Sequence, residues 1–328
     1  MKIILFSNKM IQWIVIIAIL IILLFIYVYN VINHNESVVL FYPSRKNNKW
    51  RPKQKYDNLY LNITDKKDIV RHKKDKNPNE SYIHCWHFNR FSPYKKCAIY
   101  AHGTTGDLSN RQYIIDMCEK FKMNLFLFDY SGYGESSGNP DKILLRENTE
   151  TVHHYLNSVC HIANMDLILW TESLGCISGA YLCSKYKLGG LILLSAFSSL
   201  DDILHHHLDG YKQTGAKLLT KVLGTQMDFL PVKDYLKDVK CPVVVVHSEQ
   251  DEIIPYECAK INYRSIPHKN KLFVKIEGGH SCPKIKTKQL RKIFRFCDLP
   301  DDNCGSNTVD HMLKNLETYA ERHNNFMD

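Results

Sequence analysis

The 328-residue chain contains no internal repeat, and its eleven cysteines are odd in number and lack the paired spacings of metal or disulfide frameworks. Most are therefore expected to be free thiols. No charged residue lies between Trp13 and Tyr29, and no small-x-small cleavage site follows that run, which argues against a removed leader. Outside residues 44–78 there is little net charge. That segment holds twelve Lys or Arg against four Asp, a local balance of +8 in a chain of net charge +9. A basic excess so confined excludes a nucleic-acid-binding domain and places a basic stretch beside the uncharged run. Hydrophobic content of 45% and charged content of 23% are those of a globular protein.

The uncharged run has the length of a membrane span. Residues 11–31 as a helix would cover about 30 Å, the thickness of the hydrocarbon layer. Trp13, Tyr27 and Tyr29 stand near its ends, where amphipathic rings favour the interface. A single-pass membrane protein is expected, with a flank at 1–10, the anchor at 11–31 and a basic linker at 32–57. Lys2, Lys9 and the amino terminus flank one end of the span and Glu36, Arg45, Lys46, Lys49 and Arg51 the other, so the positive-inside count is close to a tie. The sequons at Asn35, Asn62 and Asn79 favour a lumenal or extracellular catalytic domain over a cytoplasmic one.

Residues 58–299 read as one folded domain, and 300–328 as a polar tail with one short helix. A hairpin is expected over about 58–64 and 81–88, around a charged turn at 65–78. Beyond it, apolar strands near 96–101, 124–129, 166–171, 190–195, 242–247 and 271–276 alternate with helices near 109–122, 141–157, 174–186, 256–264 and 287–297. This alternation predicts a mostly parallel sheet covered by helices on both faces. Residues 197–238 interrupt it with a helical insertion, a candidate lid.

Three groups with the chemistry of acyl transfer each follow a strand. Ser173 lies in Glu-Ser-Leu-Gly, between a strand and a helix. Asp251 closes the loop after Cys241–His247, and His280 follows Gly278 and Gly279 after the last strand. A serine hydroxyl needs an adjacent base, and an imidazole needs a carboxylate to hold its ring. The order nucleophile, acid, base selects one class of serine hydrolases. Asp251 is preferred to Glu249 and Glu252 because Ile253, Ile254 and Pro255 turn the chain into the next helix. The backbone N–H groups of Leu174 and Thr104 are the expected oxyanion donors. Cys176 reads as a packed thiol. The Gly132-Tyr-Gly134 loop has the wrong spacing for a dinucleotide, and His205, His206 and His207 point in different directions on a helix. Neither a cofactor nor a metal is expected.

Ala101–Gly106, Phe128–Gly138, Glu172–Gly175, His247–Asp251 and Gly278–His280 together resemble the ABHD-type serine hydrolases, most closely the membrane-anchored ones. The resemblance covers about residues 56–298. It implies the α/β-hydrolase fold with a helical lid insertion and an N-terminal transmembrane helix. It also implies a structural role for the Phe128–Gly138 motif. Thr171 stands where the elbow usually has its first glycine, and Ser248 where a glycine is common. Members cleave acylglycerols, lysophospholipids, protein thioesters and other esters. The expected activity is hydrolysis of an ester or thioester through a serine acyl-enzyme, with a lipid or acylated substrate favoured by the anchor. A peptidase or small-ester hydrolase, and a non-catalytic binding scaffold, stand as alternatives.

Overall fold

Strand formation follows the runs of β-branched and aromatic residues, and their arrangement was obtained as a computed structural model. The structure describes residues 40–43, 50–64, 69–71, 81–91, 96–208 and 231–300. The expected anchor at 11–31, the insertion's centre at 209–230 and the tail at 301–328 lie outside the described residues. Among the described residues no helix is long and apolar enough to cross a membrane.

The strands, in chain order, are β1 (Tyr42–Pro43), β2 (Asp57–Asn62), β3 (Val70–Arg71), β4 (Tyr82–Phe88), β5 (Cys97–Ala101), β6 (Thr105–Gly106), β7 (Asn124–Phe128), β8 (Leu167–Glu172), β9 (Gly190–Leu194), β10 (Val243–Ser248) and β11 (Lys271–Ile276). Nine of them form one sheet in the order β11-β10-β9-β8-β5-β7-β4-β2-β3. From β11 to β7 every pairing is parallel. The last three strands join antiparallel. The all-apolar strands sit at the centre, as a sheet covered on both faces requires. In β10, Val243 to Val246 are all buried, and β5 and β7 are buried throughout.

The helices are α1 (Gln112–Lys120), α2 (Lys142–His154), α3 (Gly175–Lys185), α4 (Leu200–Leu208), α5 (Val232–Tyr235), α6 (Tyr256–Ser265) and α7 (Thr287–Phe296). Side chains alternate across each strand. Ala98, Tyr100, Leu125, Leu127, Ile168, Trp170, Ile192, Val244 and Val274 point to one face, where Ile114, Phe121, Leu290 and Phe294 cover them. On the opposite face α3 lies close enough that Gly179 borders Thr171 and Leu191. Asp141 sets the start of α2 by accepting from the amides of Ile143, at 2.6 Å, and Leu144. The expected helix over 109–122 is divided. A short 3-10 turn at Leu108–Asn110, capped by Asp107, precedes α1.

The expected basic linker is shorter than its charge suggested. Residues 42–43 pair with 105–106. Trp50 and Tyr56 pack on Trp86, Tyr56 also stacks on Phe88, and Arg51 pairs with Glu135. The aromatic residues bring this stretch onto the antiparallel edge of the sheet, and the lysines and arginines between them hid that attachment. The charged turn contributes β3, which pairs with Tyr60 and Leu61. Asn62 is 3% exposed and its Oδ1 accepts from the Thr64 amide at 2.9 Å, so the asparagine of this sequon is buried. Asn35 and Asn79 lie outside the described residues.

The two ends of the 197–238 insertion are tied together. Asp202 accepts from Ser198 at 2.6 Å, from Ser199 at 2.8 Å and from Lys233 at 2.9 Å. These bonds hold the Asp202 carboxyl below its ordinary range, against the effect of burial.

Phe294 is fully buried and meets the rings of Phe121 and Trp170 edge-on. Phe294→Ala should therefore cost about 3–5 kcal/mol, read as a fall in unfolding free energy in denaturant titration.

Candidate active site

The turn after β8 is set by three steric facts. Ser173 has φ +50, in the left-handed region that a side chain rarely occupies. Its amide donates to the Leu194 carbonyl at 3.0 Å, which pins the turn to the neighbouring strand. A Cβ on Gly175 would lie 2.1 Å from the Ala101 carbonyl oxygen, so only glycine lets α3 start this close to β5. The strain and the close approach together lift the Ser173 side chain off the sheet end.

Thr171 fills the position where an elbow usually has glycine, and α3 makes room for it. A Cβ on Gly179 would sit 2.4 Å from Thr171 Cγ2. The Thr171 hydroxyl donates to the Ile192 carbonyl at 2.7 Å, which satisfies it in the core. The packing glycine has moved from the strand to the facing helix.

The structure brings the three expected groups together. His280 Nε2 lies 3.0 Å from Ser173 Oγ. His280 Nδ1 lies 2.9 Å from Asp251 Oδ2 and 3.1 Å from Oδ1, so it donates to the carboxylate. Asp251 Oδ1 also accepts from the amides of Ile253, at 3.0 Å, and Ile254, at 2.7 Å. Glu249 points away to an exposed pairing with Lys275. Glu252 accepts from the His280 backbone amide at 3.0 Å. The loop carrying His280 is fastened: Gln250 accepts from the Gly278 amide at 2.7 Å, and a Cβ on Gly279 would meet Glu252 at 2.6 Å. The glycines serve close approach and, at Gly278 with φ +89, a left-handed turn.

The electrostatics favour an ion pair. Burial alone would push the His280 pKa down, but the hydrogen bond and charge of Asp251, with Glu172 and Glu252, hold it above the ordinary histidine value. Burial alone would raise the Asp251 carboxyl, but His280 and the Ile254 amide hold it below its ordinary range. His247 lies 3.4 Å from Asp251 Oδ2, and its Nε2 donates to the Ile254 carbonyl at 3.0 Å. Burial lowers its pKa, which keeps it neutral beside the carboxylate. Cys176 is fully buried, and burial pushes its thiol up to about 12, which removes it as a nucleophile.

Gly103 is the residue of the Ala101–Gly106 loop that borders Ser173, with a Cβ position 3.6 Å from Ser173 Cβ; Thr104 follows it. Leu174 is the residue capping the start of α3. The loop is held from below by the Phe128–Gly138 motif. Tyr130 donates to the His102 carbonyl and Tyr133 to the Thr104 carbonyl, each at 2.8 Å. Gly134 must be glycine because a Cβ would lie 2.1 Å from Asp129. Asp129 is buried between His84 and His102. Sequence reasoning missed Glu172, whose carboxylate accepts from the hydroxyls of Tyr100 and, at 2.6 Å, Tyr113. Its place next to Ser173 was the available signal.

A parallel sheet with a strand-to-helix serine turn and a His–Asp pair on later loops defines an α/β-hydrolase. No protein-family model matches the chain. It is 30% identical over 226 residues to the uncharacterized protein R595 of Acanthamoeba polyphaga mimivirus, covering 63% of this chain and 73% of that one. It is 26% identical over 218 residues to alpha/beta hydrolase domain-containing protein 17C of Xenopus laevis, covering 66% of each. Against the human protein of that name it is 25% identical over 211 residues, covering 64% of this chain and 60% of that one. The chain thus spans slightly less than two thirds of the named hydrolases it matches. The Pyrococcus furiosus esterase Pf2001 shares the fold, with TM-score 0.55 at 16% identity over 86% of this chain and 97% of that one. The named relatives of the chain are thus ABHD-type α/β-hydrolases, and the chain shares their fold class.

The Thr171–Gly179 contact predicts a coupled pair of substitutions. Gly179→Ala should destabilise the protein by about 1–3 kcal/mol through overpacking. In a Thr171→Ser background, which removes Cγ2 and keeps the hydroxyl, most of that cost should vanish. A double-mutant cycle by thermal unfolding reads the coupling, and additivity would contradict the steric account.

Proposed function

We propose that the protein is a serine hydrolase that cleaves a carboxylic ester or thioester through an acyl-enzyme on Ser173. The observation that carries this reading is the continuous hydrogen-bonded line from Ser173 Oγ through His280 to Asp251, at 3.0 and 2.9 Å. His280 Nε2 takes the hydroxyl proton as Ser173 Oγ bonds to the substrate carbonyl carbon. The carbonyl electrons move onto oxygen, and the N–H groups of Leu174 and Thr104 donate hydrogen bonds to the resulting oxyanion. Collapse of this intermediate breaks the bond to the leaving alcohol or thiol, which takes the proton from His280. Water then repeats the sequence and releases the acid. Asp251 holds the ring with Nδ1 protonated and balances the imidazolium charge.

The substrate reading is a lipid or an acylated molecule. It rests on the uncharged run at 11–31, which would anchor the domain where acyl chains are concentrated, and on the apolar residues of the 197–238 insertion. A groove along that insertion would add about 0.8 kcal/mol per buried methylene. The sequons at Asn35 and Asn79 keep the lumenal or extracellular side as the proposed location of the domain.

Ser173→Ala should abolish fluorophosphonate labelling and ester turnover, whereas Ser136→Ala and Ser137→Ala should leave both in place. Asp251→Asn should slow turnover by about 10⁴-fold through the wrong imidazole tautomer. Labelling that survives in Ser173→Ala would refute the mechanism. Across a p-nitrophenyl ester series, kcat/KM should rise with acyl length. A preference for acetyl or butyryl esters, unchanged by trimming residues 209–230, would point to a small-ester hydrolase.

The full chain should resist carbonate extraction and yield to detergent. Deleting residues 1–31 should release an active domain. A glycosidase shift lost on Asn35→Gln or Asn79→Gln would fix the side of the membrane.

A further inference from the structure

A second carboxylate stands beside the proposed nucleophile, and the mechanism above leaves it without a task. Glu172 is the last residue of β8, one peptide bond before Ser173. Its side chain points to the same sheet face as Tyr100. Glu172 Oε2 accepts from both the Tyr100 and the Tyr113 hydroxyl, and these two hydroxyls also touch each other. Tyr100 is 1% exposed, so the first donor is fixed in the core. A carboxylate placed in such surroundings is costly unless its charge is used or paired.

We propose that Glu172 is a positioning residue acting through His280: its carboxylate, held by the Tyr100 and Tyr113 hydroxyls next to Ser173, stabilises the imidazolium formed when His280 takes the serine proton. Glu172 takes no proton itself. The role rests on the hydrolase reading of the site and adds a second anion to it.

The charges support this assignment. Loss of solvent alone would raise the Glu172 carboxyl, yet Arg111, the two hydroxyls and His280 hold it below its ordinary range, so it is ionised at neutral pH. The charges acting on His280 are those of Asp251 from the loop after β10, Glu172 from the end of β8 and Glu252, which also bonds the His280 amide; the neutral His247 lies beside Asp251. Asp251 bonds Nδ1 directly and orients the ring. Glu172 makes no bond to the ring and acts through its charge.

The test is the rate of fluorophosphonate labelling against pH, on the full-length chain in detergent. Labelling requires neutral His280, so it should fall as pH drops through a His280 pKa above the ordinary value. Glu172→Gln keeps an acceptor for both tyrosines and removes the charge. Its acid limb should move to lower pH by about one unit, and its plateau rate should fall about tenfold. Tyr113→Phe keeps the charge and removes one donor, so its midpoint should stay at or above the wild-type value. An unmoved acid limb in a Glu172→Gln protein that melts like wild type overturns the proposal. So does a downward move in Tyr113→Phe as large as in Glu172→Gln, which would assign the effect to packing. If wild type fails to label, or Ser173→Ala still labels, the hydrolase reading itself fails instead.

Discussion

The site depends on the closeness of α3 to the ends of β5 and β8. With a Cβ at Gly175 the helix would have to retreat from the Ala101 carbonyl, and Ser173 could not hold its left-handed turn. That turn puts the hydroxyl above the sheet, where loops from β10 and β11 can reach it. Those strands lie at the far edge, and their parallel pairing carries both loops to the same end of the sheet. A contact between one glycine and one carbonyl thus decides whether groups 107 residues apart in the chain meet.

Around this turn, polar groups are arranged as layers of support. Asp251 holds the imidazole, Ile253 and Ile254 hold Asp251 through their amides, and His247 stays neutral beside it. On the other side, Tyr130 and Tyr133 bond the carbonyls of the Ala101–Gly106 loop. These bonds orient the loop backbone so that its carbonyls are occupied below. Most partners here are buried, where a lost hydrogen bond costs more than it would at the surface. The charge around His280 is net negative, which favours the imidazolium form of its ring over the neutral one.

Thr171 shows how a motif can be broken and its geometry kept. The usual glycine at the elbow allows strand and helix to pack closely. Here the strand keeps a branched side chain, and Gly179 on the helix provides the space. The hydroxyl that comes with threonine is satisfied by the Ile192 carbonyl, so the exchange buries no unpaired group.

By itself the sequence determined the alternation of strands and helices and the order of Ser173, Asp251 and His280. Periodicity and turn chemistry are local, so they can be read along the chain. Tertiary structure decided what depends on packing across the sheet. It attached Trp50 and Tyr56 to the antiparallel edge, although the basic residues around them read as a solvated linker. It buried Asn62, whose sequon looks the same in sequence whether exposed or not. It fastened the His280 loop, whose two glycines read equally well as freedom or as close approach. It put Asp251, the carboxylate the sequence favoured, within hydrogen-bond reach of the His280 ring, and turned Glu249 to Lys275 and Glu252 to the His280 amide. Glu172 could be seen beside Ser173 in the sequence. Its partners Tyr100 and Tyr113 come from a different strand and a helix, and only folding brings them to the carboxylate.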